Sequence, residues 1–353
     1  MRFSGEVGHD SRGPAGRVGI VDTVPMSSAR TSIPPSLNAA TIEIVGAPVD
    51  HGGAGAGAAG GPRSLREAGI TSIGGRVVHD RGDVDVPALP TGVRIVRGPD
   101  PDALRPEWPP LRTMCRALHE RTREIVANGG IPLVLGGDHT LAAGSMSGVA
   151  SAWNDRHLAN GFAEAPPLGL LWFDAHADLN TPDTTPSGNP HGMPAAALLG
   201  HPVAPLVDIV GSHGTFDPRR AVFLGGRDLD PGERARVSTD PASALPLLID
   251  GEAFKSESAN SIADRVLERI SPDGDAFALS FDLDVIDPKE APGVNLPVPD
   301  GLHVEQVMQV LERLADHGGC IAMDVVEFDP SADLDDRTAR IGVDAARVML
   351  QTT

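Results

Sequence analysis

The sequence predicts an α/β protein, a three-layer α-β-α sandwich whose mainly parallel sheet is covered by helices on both faces. Apolar runs of strand length alternate with segments of helical periodicity from residue 41 to the C-terminus. The strand-like runs are continuously apolar, which is typical of strands buried on both faces of a parallel sheet. With 353 residues, 41% of them hydrophobic, the chain can form one large domain or two smaller ones.

The predicted elements begin with a strand at 41–48 and a helix near 62–69. A longer helix, 109–128, has apolar residues at helical spacing and stops before Gly129. It leads directly into the strand-like segment IPLVLGGDHT. Further strands are predicted at 168–173, 221–225, 277–281 and 319–327, and further helices at 260–270, 302–316 and 337–350.

Residues 1–40 are rich in Gly, Pro, Ser and Arg and show no sustained periodicity, so we expect a flexible N-terminal tail or peripheral arm. Residues 41–353 are then expected to form a single catalytic domain. No stretch approaches the roughly 18 apolar residues of a membrane helix, and no signal-peptide core precedes the domain, which predicts a cytoplasmic protein.

The charge and the cysteines narrow the function classes. A net charge of −19 argues against binding to nucleic acid or to an anionic membrane, and it is compatible with a small cationic substrate. Only Cys115 and Cys320 are present, far apart in sequence, so a disulfide framework is not expected. We expect both to be buried side chains in a protein of a reducing compartment.

Polar residues follow several predicted strands, where parallel α/β sheets bind their ligands. In LLWFDAHADLN the residues Asp174, His176, Asp178 and Asn180 are two apart, so in an extended segment they would face the same way. GGDHT, SFDLDVIDP and MDVVEFDP supply further candidates, among them Glu327. Six of these residues, four carboxylates and two imidazoles, are the candidate metal ligands: His139, Asp174, His176, Asp178, Asp282 and Asp284.

Four converging carboxylates would repel one another and lose hydration, so the sequence predicts bound cations at this edge of the sheet. The number of ligands indicates a two-metal site, and hard oxygen ligands with a minority of imidazole favour Mn²⁺. Co²⁺, Ni²⁺ and Fe²⁺ remain open. Taken singly, each motif has another reading, because a DxD segment after a strand also occurs in Mg²⁺-dependent phosphoryl chemistry.

A nicotinamide-dependent oxidoreductase is the competing class, because GAGAAG at 55–60 matches a GxGxxG fingerprint and Asp80 follows about twenty residues later. In that fingerprint the first glycine leaves the strand immediately, whereas here a segment containing APVDHGG intervenes. A glycine-rich, flexible active-site loop is the favoured interpretation.

Six ordered motifs, GGDHT, DAHADLNTP, SGNPHGMP, RDLDPGE, SFDLDVIDP and EFDP, resemble those of the ureohydrolase family, with the arginases as the most similar branch. The resemblance runs from about residue 42 to the C-terminus. It implies the arginase-like fold and two Mn²⁺ per subunit. The first ion would take His139, Asp174, Asp178 and Asp282, and the second would take Asp174, His176, Asp282 and Asp284.

The resemblance also implies the chemistry: a metal-bridging hydroxide would attack the guanidinium carbon of the substrate. Glu327 would hold the guanidinium group, Asp178 would pass a proton to the leaving amine, and His191 would shuttle protons to and from solvent. From the local sequence alone, a loop imidazole packed in place is an equally good reading of His191. Implied substrate contacts are Asn180, Ser187 and Asn189 for an α-carboxylate, and Asp230 and Glu233 for an α-amino group. Without the resemblance, the first three would be interpreted as loop residues and the last two as the start of a helix.

One segment departs from the arginase pattern: APGVNLPVP has Asn295 and Leu296 where arginases have a Gly-Thr-Pro turn. The expected substrate is L-arginine, giving L-ornithine and urea. Alternatives within the family are agmatine, guanidinobutyrate and formiminoglutamate, and alternatives outside it are a metal-dependent phosphoesterase or an inactive metal-binding relative. The resemblance further implies a homo-oligomer, a trimer or a hexamer.

Overall fold

The computed structural model of the chain describes residues 1, 37, 39–53, 55–91, 98 and 105–352. The flexible tail or arm expected at 1–40 falls almost wholly on residues 2–36 and 38, which lie outside the described residues. Its separation from a catalytic domain at 41–353 therefore stays a prediction. From residue 39 onward the described residues belong to one compact unit.

Eight strands form one sheet in the order β2-β1-β3-β8-β7-β4-β5-β6, and every pairing between neighbours is parallel. The predicted parallel sheet is confirmed. In chain order the strands are β1 Ile42–Ala47, β2 Val78–Asp83, β3 Ile131–Gly136, β4 Gly169–Phe173, β5 Ala221–Leu224, β6 Leu247–Ile249, β7 Phe277–Asp282 and β8 Cys320–Val326.

Helices cover the sheet on both faces. The ten α-helices among the described residues are α1 Gly61–Glu67, α2 Trp108–Ala127, α3 Ala142–Ala159, α4 Pro194–Leu198, α5 Val207–Val210, α6 Pro231–Arg234, α7 Ala253–Ser256, α8 Ala259–Ile270, α9 Val304–His317 and α10 Arg337–Leu350. The predicted helices at 62–69, 109–128, 260–270, 302–316 and 337–350 correspond to α1, α2, α8, α9 and α10, each within about three residues at its ends.

The hydrophobic core is divided between the two faces of the sheet. Successive strand residues alternate between two clusters: Ile44 belongs to the cluster that includes residues of α1, α8, α9 and α10, and Val45 belongs to the cluster that includes residues of α2, α3, α4 and α5. Leu171 and Trp172 of β4 divide in the same way. The three-layer sandwich predicted from the sequence is therefore the observed architecture.

The strand order brings the ligand-bearing motifs together. GGDHT follows β3, EFDP follows β8, Asp282 ends β7, and DAHADLN follows β4, and these four strands are adjacent in the order β3-β8-β7-β4. RDLDPGE follows β5, the next strand outward. Because all pairings are parallel, the carboxyl ends of these strands lie at one edge of the sheet, where such folds bind ligands.

Candidate metal centre and substrate cavity

His139 lies in a short turn after β3 and is only 1% exposed. Its Nδ1 atom is close to three carboxylate oxygens, Asp174 Oδ2 at 3.2 Å, Asp178 Oδ2 at 3.1 Å and Asp282 Oδ2 at 3.1 Å. One imidazole nitrogen therefore faces carboxylates from two different strand ends.

His176 forms a second group beside the first. Its Nδ1 atom lies 3.2 Å from Asp174 Oδ1 and 3.0 Å from Asp284 Oδ2. In each of the sets His139–Asp174–Asp282 and Asp174–His176–Asp284, the donor atoms all lie within 4.8 Å of one another. Asp174 belongs to both sets and faces each imidazole with a different oxygen, so it is the shared residue. The His176 side chain is 22% exposed, so this set lies closer to solvent.

The carboxylates of these sets are in an electrostatically unfavourable position. Burial, with the neighbouring Asp284 and Asp174, raises the pKa of Asp282 well above its usual range. Burial and Asp174 raise the pKa of Asp178 to about 6, although His139 opposes this rise. In the part of the chain that the structure describes, the buried Asp178 Oδ2 atom has no well-formed hydrogen bond besides its 3.1 Å approach to His139 Nδ1. Oxygen-rich donors with a minority of imidazole nitrogens, short of positive charge, fit a pair of divalent cations.

The loop after β4 has a different conformation from the one assumed in the sequence argument. The strand ends at Phe173, and Asp178 has a left-handed backbone with φ of 50°, so 174–180 is not an extended segment with alternating faces. The loop is held by backbone donors instead: His176 N–H donates to Asp174 Oδ1 at 2.7 Å and Ala175 N–H donates to Asp284 Oδ1 at 2.9 Å. The ligand-type residues converge, but the strand-alternation reason given for their convergence is wrong.

Glu327 and His191 form a buried pair next to the first group. The backbone of Glu327 is left-handed with φ of 61°, and its Oε1 atom accepts from the His139 backbone N–H at 2.8 Å and lies 2.9 Å from His191 Nδ1. Burial alone would lower the pKa of His191, but Glu327, followed by Asp178, raises it to about 9. Conversely, burial would raise the pKa of Glu327, but His191 lowers it.

A cavity of about 330 Å³ opens over the two groups. Apart from Gly192 and Leu296, each of its lining residues is polar or charged. Its lining includes every site residue predicted from the sequence except Asp174: His139, His176, Asp178, Asn180, Ser187, Asn189, His191, Asp230, Glu233, Asp282, Asp284 and Glu327. The cavity therefore joins the candidate metal ligands to the residues expected to contact a substrate.

The three residues expected to bind an α-carboxylate differ in how many hydrogen bonds their side chains already make. The Asn180 side chain donates to Asp230 Oδ2 at 2.9 Å and accepts from Thr184 Oγ1 at 3.0 Å, so it ties two loops together. Ser187 Oγ accepts from the Asn189 backbone N–H at 3.2 Å. Asn189 Oδ1 is buried and has no partner among the described residues. Asn189 is therefore the residue of this set with the most unused hydrogen-bonding capacity.

Asp230 and Glu233 form the helix start that the local sequence indicated. Together they make a capping box at α6, in which Glu233 accepts from the Asp230 backbone N–H at 2.9 Å, and Glu233 also accepts from the Leu179 backbone N–H at 3.1 Å. Burial raises the pKa of Glu233 to about 7. Both side chains also line the cavity, so the capping role and a substrate-contacting role are compatible.

Thr185 and Asp228 also line the cavity, and the sequence analysis did not name them. Asp228 is two residues before Asp230 in RDLDPGE, so its place in that motif was a usable signal. Thr185 lies in the loop between Asn180 and Ser187, and its hydroxyl accepts from the Gly188 backbone N–H at 2.9 Å. Only the folded loop shows that it reaches the cavity.

Neither Asp80 nor the glycine-rich segment 55–60, the two features on which the nicotinamide interpretation rests, supports it. Asp80, the acidic residue it requires, is bound by Arg66 through contacts of 2.7 and 3.0 Å. Gly57 has φ of 138° and lies against Asp329, where an added Cβ would be 2.4 Å from the carboxylate. Residues 55–60 are not among the described residues that line the cavity, and their interpretation as an active-site loop stays a prediction.

The two cysteines are buried and unpaired, as predicted. Burial raises the pKa of Cys320 to about 12 and that of Cys115 higher still. Within the described residues, no helix is long and apolar enough to cross a membrane.

Comparison with known proteins gives consistent matches. Residues 40–351 match the family model described as Arginase family. Arginase from Brevibacillus brevis is 34% identical over 305 residues, which cover 86% of this chain and 95% of that protein. Arginase from Bacillus subtilis is 31% identical over 316 residues, which cover 88% and 97% of the two chains.

Solved structures agree with these sequence matches. The structure of arginase from Bacillus caldovelox superposes with a TM-score of 0.77 at 29% identity, covering 89% of this chain and 99% of that one. A structure of the Bacillus subtilis arginase gives a TM-score of 0.74 at 30% identity with the same coverage. The family match over most of the length, with relatives above 30% identity, shows that this chain belongs to the Arginase family.

Proposed function

We propose that this protein hydrolyses L-arginine to L-ornithine and urea at a centre of two Mn²⁺ ions per subunit. One observation carries the proposal: a single cavity lies over two imidazole–carboxylate groups that share Asp174, and its lining also includes a loop of hydroxyl and amide side chains and the carboxylates Asp230 and Glu233. Such a cavity can bind a guanidinium group and the carboxylate and ammonium groups of an amino acid together. Arginine has all three groups.

The proposed metal ligands are those implied by the family resemblance. His139, Asp174, Asp178 and Asp282 would hold one ion, and Asp174, His176, Asp282 and Asp284 the other. The sharing of Asp174 is supported by its two oxygens facing different imidazoles. Sharing of Asp282 stays a prediction, since its Oδ1 accepts from the Asp284 backbone N–H at 2.8 Å and its Oδ2 faces His139. Two divalent cations held by these residues would lower the pKa of a bound water enough to supply hydroxide near neutral pH.

Glu327 would bind the substrate guanidinium. Its lowered pKa keeps the side chain ionised, and its buried Oε2 atom has no partner among the described residues. A buried carboxylate oxygen without a donor is stabilised strongly by a cationic N–H group, and a guanidinium presents several such groups. Glu327 would hold the guanidinium carbon in place for attack.

Asp178 and His191 would carry the protons. Asp178 lines the cavity beside His139, where a carboxylate can accept a proton and pass it to the leaving amine. His191 lines the same cavity and is held by Glu327, so its imidazole can exchange protons between the site and solvent. If His191 were only a packed loop residue, its buried ion pair with Glu327 would have a structural role alone.

The amino-acid end of arginine would lie between the two remaining sets of lining residues. Ser187 and Asn189 would donate to the α-carboxylate, with Asn180 holding the loop, and Asp230 and Glu233 would accept from the α-ammonium group. Agmatine lacks the carboxylate and would leave Asn189 unsatisfied, which is the kind of mismatch that gives strong discrimination.

The identity of the metal, the compartment and the assembly belong to the same proposal. The oxygen-rich donor set supports Mn²⁺ over softer metals. The absence of a membrane-crossing helix among the described residues is compatible with a cytoplasmic enzyme, and the family resemblance supports a trimer or a hexamer.

The experiment compares kcat/KM of the manganese-loaded protein for arginine, agmatine, guanidinobutyrate and formiminoglutamate, with quantification of the products. We expect a large preference for arginine, and in Asn189→Ala a loss of roughly 10- to 100-fold for arginine with little change for agmatine. Asn260→Ala, an exposed asparagine on α8, is the matched control and should keep the preference. Equal or reversed constants in the parent protein would assign it to agmatinase or another amidinohydrolase of the family.

A further inference from the structure

We propose that Trp172 is a positioning residue of the metal centre: it fixes the plane of His139 and holds Asp174 in an orientation that bridges the two metals. The inference rests on the proposed two-metal function. Trp172 is fully buried on β4, is not among the residues that line the cavity, and belongs to none of the ligand sets. Two separate contacts carry the argument.

The first contact fixes the His139 ring. The indole of Trp172 and the imidazole of His139 are stacked, with ring centroids 4.2 Å apart and planes 7° from parallel. Ser280 Oγ lies 2.8 Å from His139 Nε2, so the ring is also held against rotation within its plane. The opposite nitrogen, Nδ1, is then aimed at the carboxylates. Groups that engage the second nitrogen of a ligand histidine set its tautomer and direction.

The second contact fixes the Asp174 carboxylate. Trp172 Nε1–H donates to Asp174 Oδ2 at 3.0 Å, and the His176 backbone N–H donates to Asp174 Oδ1 at 2.7 Å. Each oxygen of Asp174 therefore has its own donor and retains a lone pair for a metal. A carboxylate with a donor at each oxygen would be held in one orientation, in which it would offer one oxygen to each of two ions.

The sheet holds Trp172 where both contacts are possible. Trp172 is in register with Ser280 on the neighbouring strand β7 and with Phe223 on β5. Side chains in register on adjacent strands point to the same face, so Trp172 and Ser280 reach His139 side by side. The Phe223 ring, with its centroid 6.1 Å from that of Trp172, supports the other side of the indole. The orientation of the ligands is thus fixed by the sheet.

The test removes the indole N–H and measures metal binding directly. Trp172→Phe keeps an aromatic ring for stacking but loses the donor to Asp174, and replacement of Trp172 by benzothienylalanine loses only the donor at nearly unchanged shape. We expect calorimetry of the metal-free protein with MnCl₂ to show about 10- to 100-fold weaker binding of at least one ion. We also expect the electron paramagnetic resonance signal of the coupled manganese pair to change, which a purely structural role would leave unaltered.

Trp153→Phe is a closely matched control. Trp153 also donates its Nε1–H to an oxygen, Pro166 O at 2.8 Å, and also packs on a histidine, His157, with centroids 4.2 Å apart. Trp153 lies on α3, and neither of these two contacts involves a proposed metal ligand. Manganese affinity and the resonance signal should be as in the parent protein.

Unchanged manganese affinity and an unchanged resonance signal in the benzothienylalanine protein would overturn the proposal. Because this variant keeps the shape of the indole, it tests the proposal even if Trp172→Phe fails to fold. A parent protein that binds manganese but releases no urea from arginine would overturn the proposed function alone. The comparison of Trp172 with Trp153 would still decide the positioning role.

Discussion

Removing the carboxylate of Glu327 should lower the pKa of His191 in the metal-free protein. Burial disfavours a charged imidazole, yet the Glu327 carboxylate, 2.9 Å from His191 Nδ1, and the more distant Asp178 and Asp138 raise the pKa of His191 to about 9. In Glu327→Gln the burial remains but the nearest anion is gone. We therefore expect the pKa of His191 to fall by about 1 to 3, the range typical for one close opposite charge.

The raised pKa of His191 also gives the size of its contribution to the free energy of unfolding. Against the ordinary histidine value of 6.5, a pKa of about 9 corresponds to about 3 kcal/mol in favour of the charged imidazole at this buried site. Because the folded-state pKa is the higher one, this stabilisation is complete below about pH 6.5. It is lost as the pH rises through about 9. The free energy of unfolding of the metal-free protein should therefore decrease over that interval, and the decrease should be smaller in Glu327→Gln.

The assay is a pH titration of the histidine side chains by nuclear magnetic resonance in the metal-free protein. The chain has 12 histidines, so the His191 signal is assigned by its loss in His191→Asn. Glu290→Gln is the matched control, since it removes a carboxylate that lies 2.6 Å from Nδ1 of a different histidine, the exposed His303. It should leave the His191 titration unchanged.

A His191 titration that is the same in Glu327→Gln as in the parent protein would refute this reasoning. The raised pKa would then come from Asp178 and Asp138, and the pairing with Glu327 would have no electrostatic consequence. Addition of Mn²⁺ gives a second check, because two cations placed among the neighbouring carboxylates should lower the pKa of His191.

Three further predictions concern the metals, the proton path and the cysteines. His139→Ala and Asp284→Ala should each bind one manganese ion fewer with the fold retained, because each change removes a donor from only one of the two sets; elemental analysis showing two ions in both variants would be incompatible with the assignment. His191→Ala should lower kcat by about 10²- to 10⁴-fold with a small change in KM, since a proton carrier and not a ground-state contact is lost, and a defect confined to KM would favour the packed-loop reading. Cys115 and Cys320 should react with a thiol reagent only on unfolding, because both are buried with raised pKa values, and rapid reaction of the native protein would contradict their burial.

The sequence was sufficient to locate the candidate site because the ligand-type residues directly follow apolar strands. His139, Asp174, Asp282 and Glu327 come after β3, β4, β7 and β8, and parallel pairing puts those strand ends at one edge. The adjacency of the four strands, β3-β8-β7-β4, involves residues far apart in the chain and could not be deduced from local patterns.

The elements that the sequence analysis missed lack the usual periodic signals. Helix α3 is buried along its first three turns on all sides, so its Ala, Gly and Ser residues show no polar face. Strand β2, VHDRGD, is an exposed and charged edge strand, and β6 has only three residues, LLI. Charged or short strands at the two edges of a sheet are difficult to distinguish from loops.

The contacts within the site were the least predictable part. Local sequence did not indicate the left-handed backbone of Asp178, and the pairing of Asn180 with Asp230 joins loops that follow different strands. The stacking of Trp172 on His139 likewise depends on the register between strands. Such contacts are decided by tertiary packing, which a single sequence does not display.

The most direct measurement of the central claim is a titration of the metal-free protein with Mn²⁺, recording bound metal and the urea released from arginine on the same samples. We expect urea production to rise to a plateau at two ions per chain, with ornithine formed in equal amount. Full activity with one bound ion, activity that survives complete removal of metal, or two bound ions without urea from arginine would contradict it.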